Sequence, residues 1–314
     1  MWSKRLEDIR PGTVMAYALL LLGLGYLRIG MAPSSSIDWS FLGVEYELSS
    51  WLKWLSPVIW TISGLLANLI LVERFQVLKR YSYVGFLWGL FLIILGGFQI
   101  GVYSILSLFW FASILRIQKS SSVIPDALDV GLIIGALSLF NLQFLALIPI
   151  SWILALTFAR LRWRVIFASI WGGVTIHILT WVTFYLLSRN EAYLSYWEWS
   201  PGTFEIVDTA LWVLIITAFV WWVFSLGNYI KALSTANIVK RQSMSALLFF
   251  TIILASLALT GIWSDTVYFA MLPIGTLVFI TNDLQYRKKY WWRDVVFWTF
   301  IAAYVLMLFP AVQP

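Results

Sequence analysis

The stretch Val84–Leu115, VGFLWGLFLIILGGFQIGVYSILSLFWFASIL, holds no charged residue and is followed at once by Arg116 and Lys119. A helix needs roughly 20 apolar residues, within a range of about 17–25, to cross the hydrocarbon of a bilayer. The stretch is too long for one crossing and tight for two. Gly96, Gly97 and Gly101 interrupt it near the middle. It predicts two short helices joined at the far face and returning to the basic side. The segment Asp126–Ala159 repeats the design, breaking at Phe140-Asn141-Leu142-Gln143 and returning to Arg160, Arg162 and Arg164. Both hairpins start and end on the same side, so they are related in parallel rather than inverted.

The same reading extends to the whole chain. Of its 314 residues 61% are hydrophobic and 11% charged, and the mean hydropathy is +0.86. A soluble domain carries about 25% charged residues, enough to coat a water-facing surface, and this chain does not. The longest polar stretch is about 20 residues, short of the roughly 50 that a core-forming domain needs. The expectation is one integral membrane domain over residues 1–314, all-α, a polytopic transmembrane helical bundle of about 11 helices including the two short-helix hairpins. Absence of cysteine excludes disulfides, thiolate metal sites and lipidated cysteines.

Outward from the hairpins, the apolar runs predict helices over Val14–Ile29, Trp51–Val72, Val165–Leu187, Asp208–Gly227 and Met244–Ile262. A tight turn at Trp263-Ser264-Asp265 leads to a tenth helix ending near Ile280, and an eleventh ends near Phe309. The N-terminal Met1–Arg10 is mixed in charge, and the apolar run after it lacks a small-residue cleavage site, so it reads as a retained first helix. Two long loops, Gly30–Ser50 and Ser188–Val207, are acidic and aromatic.

Threading the chain through a membrane puts 18 of the 21 Lys and Arg residues on one side. Only Arg28, Lys53 and Arg189 fall on the other, while the 15 acids divide eight to seven. Lys and Arg, not net charge, orient helices during insertion, so the basic side is expected to be cytoplasmic. This gives a multi-pass membrane protein with its N-terminus in the cytoplasm and its C-terminus on the outer side. The formal charge of +6 then reflects orientation and anionic lipid headgroups rather than nucleic acid. Many of the 20 Trp lie near helix ends, as an interfacial belt requires.

Few residues carry chemistry. His177, the sole histidine, lies mid-way along the seventh helix near Thr175, Thr180 and Thr183. A lone imidazole in a bundle reads first as a neutral hydrogen-bonding group, and without a second His or a Cys it makes no metal site. Asp126 and Asp129 share a helix face behind Pro125 and suit a helix start. Asn68, Gln99, Asn141 and Gln143 suit hydrogen bonds between helices. Gly23-Leu24-Gly25 and Gly172-Gly173 permit close helix approach. In the acidic loops, Asp38, Glu45 and Glu47 sit among Trp39, Phe41, Tyr46, Trp51 and Trp54. Glu191, Glu198, Glu205 and Asp208 sit among Tyr193, Tyr196, Trp197 and Trp199. Carboxylates beside aromatic faces suit sugars, with Asp38 a candidate general base and Glu45, Glu47, Trp197, Glu198 and Trp199 candidate substrate contacts. The bland reading is an aromatic belt with solvated acids. No phosphate cradle appears in the basic loops, and no cofactor or metal is expected.

The stretch Asp126-Ala-Leu-Asp-Val-Gly-Leu-Ile-Ile-Gly-Ala-Leu-Ser-Leu-Phe140, with the basic turn Arg162-Trp163-Arg164, resembles an uncharacterised multi-pass inner-membrane family of the Bacteroidota. The late stretch Met271-Leu-Pro-Ile-Gly275, then Asn282 and Lys288–Asp294, is similar to that family's tail. The resemblance implies a bacterial inner membrane and carries over no catalytic residue. A fainter similarity, through the place of Asp38 in the first external loop, is to polytopic glycosyltransferases that use lipid-linked sugars.

The leading expectation is a non-catalytic component of the bacterial cell envelope, a scaffold or assembly partner that contacts membrane lipids and other envelope membrane proteins. The alternative is a polyprenyl-linked-sugar glycosyltransferase acting at the outer face, and the third reading is a small-molecule transporter.

Overall fold

The computed structural model describes residues 10–31, 38–42, 44–47, 53–78, 82–197, 209–260, 263–287 and 290–308. In chain order the elements are α1 Pro11–Met31, strands β1 Asp38–Phe41 and β2 Val44–Glu47, α2 Ser56–Asn68, α3 Tyr83–Leu95, α4 Phe98–Lys119, α5 Val123–Ser138 and α6 Leu147–Thr157. There follow α7 Trp163–Leu186, the short α8 Asn190–Ser195, α9 Thr209–Thr235, α10 Ile238–Thr260, α11 Asp265–Tyr286 and α12 Tyr290–Leu308. Eight of the helical segments are long and apolar enough to cross a bilayer. The protein is a multi-pass helical membrane bundle.

Two expectations need correction. The first hairpin does not have two short helices, because α3 has 13 residues and α4 has 22. At about 1.5 Å per residue, α3 falls well short of the roughly 30 Å hydrocarbon. It tolerates this because Tyr83 to Ile94 are all buried, so protein rather than lipid surrounds it. The second correction concerns the basic loops. The expected loop Asn228–Ser243 is largely helix, since α9 runs to Thr235 and α10 starts at Ile238. Likewise α11 continues past Ile280 to Tyr286. Apolar runs mark where helices meet hydrocarbon, whereas hydrogen bonding carries them on into the headgroup layer.

The segment between α1 and α2 contains a two-stranded antiparallel hairpin, with Asp38 opposite Glu47 and Ser40 opposite Glu45. The turn between α3 and α4 is made by Gly96 and Gly97 at φ 70° and 81°, a region that glycine enters without steric cost. The Trp60 indole donates to the Gly97 carbonyl at 3.0 Å and fixes this turn against α2.

Indole–hydroxyl bonds join helices inside the bundle. Trp88 of α3 donates to Ser63 of α2 at 3.1 Å and to Ser104 of α4 at 3.0 Å. Trp110 donates to Ser151 of α6 at 2.9 Å, Trp152 to Ser169 of α7 at 2.8 Å, and Trp221 to Thr299 of α12 at 2.9 Å. Each satisfies a donor that lipid cannot serve while burying a large apolar ring. The bundle keeps the two sets of turns at opposite ends. At one end the Asn141–Gln143 turn meets the Ser264 turn. At the other, Gln118 bonds to Val239 and Ser243, and Lys119 to Phe75.

Candidate functional site

The site lies where α5, α7 and α8 meet. Glycines face each other across α5 and α7, and a Cβ at Gly131 would overlap the Ser169 carbonyl oxygen, as one at Gly172 would overlap that of Leu128. Small residues let two backbones approach to this degree in a membrane. One turn beyond Gly173, the close approach sets His177 against Ser138, the last residue of α5.

The His177 Nε2 atom stands 2.8 Å from the Ser138 hydroxyl, and Nδ1 stands 2.9 Å from the Tyr193 hydroxyl of α8. Tyr193 also lies 3.2 Å from the His177 carbonyl, and Tyr196 donates to the Ser138 carbonyl. Trp197 packs on the imidazole with ring centroids 4.8 Å apart. Two proton arrangements satisfy the cluster, both with neutral imidazole. In one, Ser138 donates to Nε2, Nδ1–H donates to Tyr193, and Tyr193 donates to the His177 carbonyl. In the other, Tyr193 donates to Nδ1, Nε2–H donates to Ser138, and Ser138 donates to the Gly135 carbonyl at 2.8 Å. Burial pushes the Tyr193 and Tyr196 hydroxyls up from the ordinary tyrosine range.

A serine beside a histidine is the geometry of an activated nucleophile, which further requires access and an orienting acid. Here Ser138 is fully buried, and the second imidazole nitrogen faces a phenol. The constellation is a latch between helices. Thr175, Thr180 and Thr183 do not join it, because each hydroxyl donates to a carbonyl of its own helix. Among the described residues no cluster of His, Cys, Asp or Glu could hold a metal ion.

Beside the latch lies an apolar cavity of about 450 Å³ walled by Leu145, Ile148, Val174, Ile178, Trp181 and Trp197. Its α7 wall includes the exposed apolar side chains of Val174, Ile178 and Trp181. Trp197 is thus a cavity wall and an imidazole cover, 44% exposed. Glu198 and Trp199 lie outside the described residues. Asp38, Glu45 and Glu47 are on the hairpin, where strand alternation puts positions 38, 40, 45 and 47 on one face. The Leu42 amide donates to the Leu139 carbonyl at 2.8 Å, and Phe41 packs edge-on against Phe140. Leu42, Tyr193 and Tyr196 form a small buried cluster. Both long loops therefore converge on the C-terminal end of α5, a meeting that no sequence spacing announces.

The remaining polar candidates join neighbouring groups, except Asn68, whose buried side-chain oxygen meets no hydrogen-bond donor among the described residues. Arg116 reaches Asp126 at 3.9 Å and Asp129 at 3.1 Å, beside the start of α5. Gln99 bonds to Tyr103, and Gln143 accepts from the Ser264 amide at 2.5 Å. Gly25 meets Pro57 of α2 closely, whereas Gly23 faces open space. The sequence reading missed Asp283, assigned to a loop. Its carboxylate is buried on α11, 2.5 Å from Arg287 and bonded to the Asn228 amide. The i, i+4 spacing of Asp283 and Arg287 was the available signal.

Residues 41–313 match the model of a family of unknown function, DUF6427, and the chain belongs to that family. No curated protein and no solved structure matches it significantly.

Proposed function

We propose that the chain is a non-catalytic integral component of the bacterial inner membrane, a scaffold or assembly partner of the cell envelope. Its basic end faces the cytoplasm with the N-terminus, and the hairpin, α8 and the C-terminus face the periplasm. The observation that carries this reading is the commitment of His177: both ring nitrogens are spent on Ser138 and Tyr193, which tie three helices together. The sole imidazole, the natural proton carrier in a bundle, acts as a fastener. The basic turns gathered at one end support this orientation. Purified protein in liposomes is expected to transfer no sugar from polyprenyl-phosphate donors. Transfer that Asp38→Asn abolishes would overturn the proposal.

One observation favours a second reading, an outer-face transferase. The hairpin register sets Asp38 directly opposite Glu47, which gives the first external loop the paired acidic positions that the sequence order of Ser36-Ile37-Asp38 lacks. The same transfer assay separates the two.

A further inference from the structure

A second cavity, about 400 Å³, lies at the basic end between the close of α2, the end of α4 and the start of α10. Its shape comes from an irregular chain path. After Asn68 the backbone widens into a π-turn over Leu69–Arg74, and the Phe75 amide reaches back to the Ile70 carbonyl at 3.1 Å. Gln76 then adopts φ 53°, a conformation uncommon for a residue with a Cβ. The amides of Val77 and Leu78 both return to the Leu71 carbonyl, at 3.0 and 3.3 Å. The chain thus curls into a rim instead of leaving the bundle. Single-turn π-segments of this kind concentrate at functional sites.

The lining is cationic. Lys119 enters from α4, with its ammonium 5.3 Å from the centroid of the Phe75 ring and 3.3 Å from the Phe75 carbonyl. Lys240 enters from α10, and Asn237 caps that helix by accepting from the Lys240 amide at 2.9 Å. The first amides of a 23-residue helix therefore point their partial positive charge toward the same space. No carboxylate is among the described lining residues. Arg116, one turn before Lys119, is occupied by Asp126 and Asp129, whereas Lys119 meets the Phe75 ring and carbonyl. The apolar part of the lining is Val72, Phe75, Val77, Leu78 and Val239, and Ile238, next to Val239 in the chain, is exposed.

We propose that this cavity binds the phosphate of an anionic phospholipid, phosphatidylglycerol in type, with its acyl chains running along the exposed Ile238 side. Two lysines, a helix N-terminus and an amide side chain supply the donors for a phosphodiester, and the lateral apolar wall selects a lipid over a free ion. The inference does not rest on the non-catalytic reading.

The test uses the full chain in neutral detergent micelles, titrated with phosphatidylglycerol, phosphatidylcholine and inorganic phosphate and read by native mass spectrometry. Phosphatidylglycerol is expected to bind tightest, and Lys119→Gln with Lys240→Gln to weaken it by roughly tenfold to thirtyfold. Arg164→Gln, a basic residue at the start of α7, is expected to change binding less than about twofold. Equal affinity for phosphatidylcholine, an equal loss in Arg164→Gln, or inorganic phosphate binding as tightly as the lipid would overturn the proposal. On the unaltered protein, a headgroup-photoreactive phosphatidylglycerol is expected to crosslink within 75–78 or 237–240. Crosslinks confined to other basic turns would overturn it independently of whether the lysine variants fold.

Discussion

The His177 imidazole and the Ser138 hydroxyl meet at 2.8 Å across the closest helix pair in the site, and His177 reaches Tyr193 with its other nitrogen. One side chain thereby fastens α5, α7 and α8. Replacing it by alanine would leave the two hydroxyls only their main-chain acceptors, the carbonyls of Gly135 and of residue 177, and would remove one side-chain hydrogen bond from each, worth about 0.5–1.5 kcal/mol apiece. His177→Ala is expected to lower stability by about 2 kcal/mol, measured by thermal or denaturant unfolding in detergent. His177→Gln, which keeps a donor and an acceptor, should recover part of that loss.

The same end of the bundle should respond to alkali. Burial raises the Tyr193 and Tyr196 hydroxyls above the ordinary tyrosine value of 10.0. The folded state then holds protons that the unfolded chain releases, so their contribution is complete below about pH 10 and declines as pH rises beyond it. Unfolding midpoints measured across the alkaline range should be level up to that point and then fall. Tyr193→Phe with Tyr196→Phe should flatten part of the decline.

Gly131 and Gly172 test the α5–α7 contact. With a carbonyl oxygen occupying the place of a Cβ, even alanine forces the helices apart. Gly131→Ala is expected to cost about 2 kcal/mol or more, in the range of overpacked interiors. Gly23→Ala and Gly227→Ala, where a Cβ meets nothing within 4 Å, should be neutral or stabilising, because alanine favours helix by up to about 1 kcal/mol. Parallel melting curves separate the two pairs.

Asp283 should be costly to remove. Its side chain is 2% exposed and holds Arg287, itself 20% exposed, at 2.5 Å. Asp283→Ala leaves a half-sheltered guanidinium and the Asn228 amide without their acceptor. A loss of about 3 kcal/mol is expected for breaking such a pair. Added salt should change this little, in contrast to Arg116 with Asp129, whose side chains are 36% and 45% exposed.

Much of the architecture was legible from hydrophobic runs and basic turns. Gly96-Gly97, Phe140–Gln143 and the Ser264 turn each break a helix where read, since glycine and polar residues interrupt an apolar run locally. The helix ends beyond Gly227 and Ile280 were not legible, because hydropathy reports depth in lipid and not hydrogen bonding in the headgroup layer. Nor was the π-turn after Asn68, whose residues Leu69-Ile70-Leu71-Val72 are ordinary helix formers. His177 was correctly read as a hydrogen-bonding group, but its partners were not, since Ser138 is 39 residues away. Tyr193 and Tyr196 read as part of an acidic, aromatic loop or interfacial belt and are buried on the latch. Only the meeting of the two long loops over α5 makes them interior.

The threading itself is open to a clean measurement, because the natural chain contains no cysteine. Single cysteines at exposed Glu191 on α8 and Ser234 near the end of α9 would be exposed to a membrane-impermeant maleimide in intact spheroplasts. The expected result is labelling of Glu191→Cys in intact cells and of Ser234→Cys only after permeabilisation. Labelling of Ser234→Cys alone in intact cells would place the basic turns outside and contradict the orientation on which the functional proposal stands.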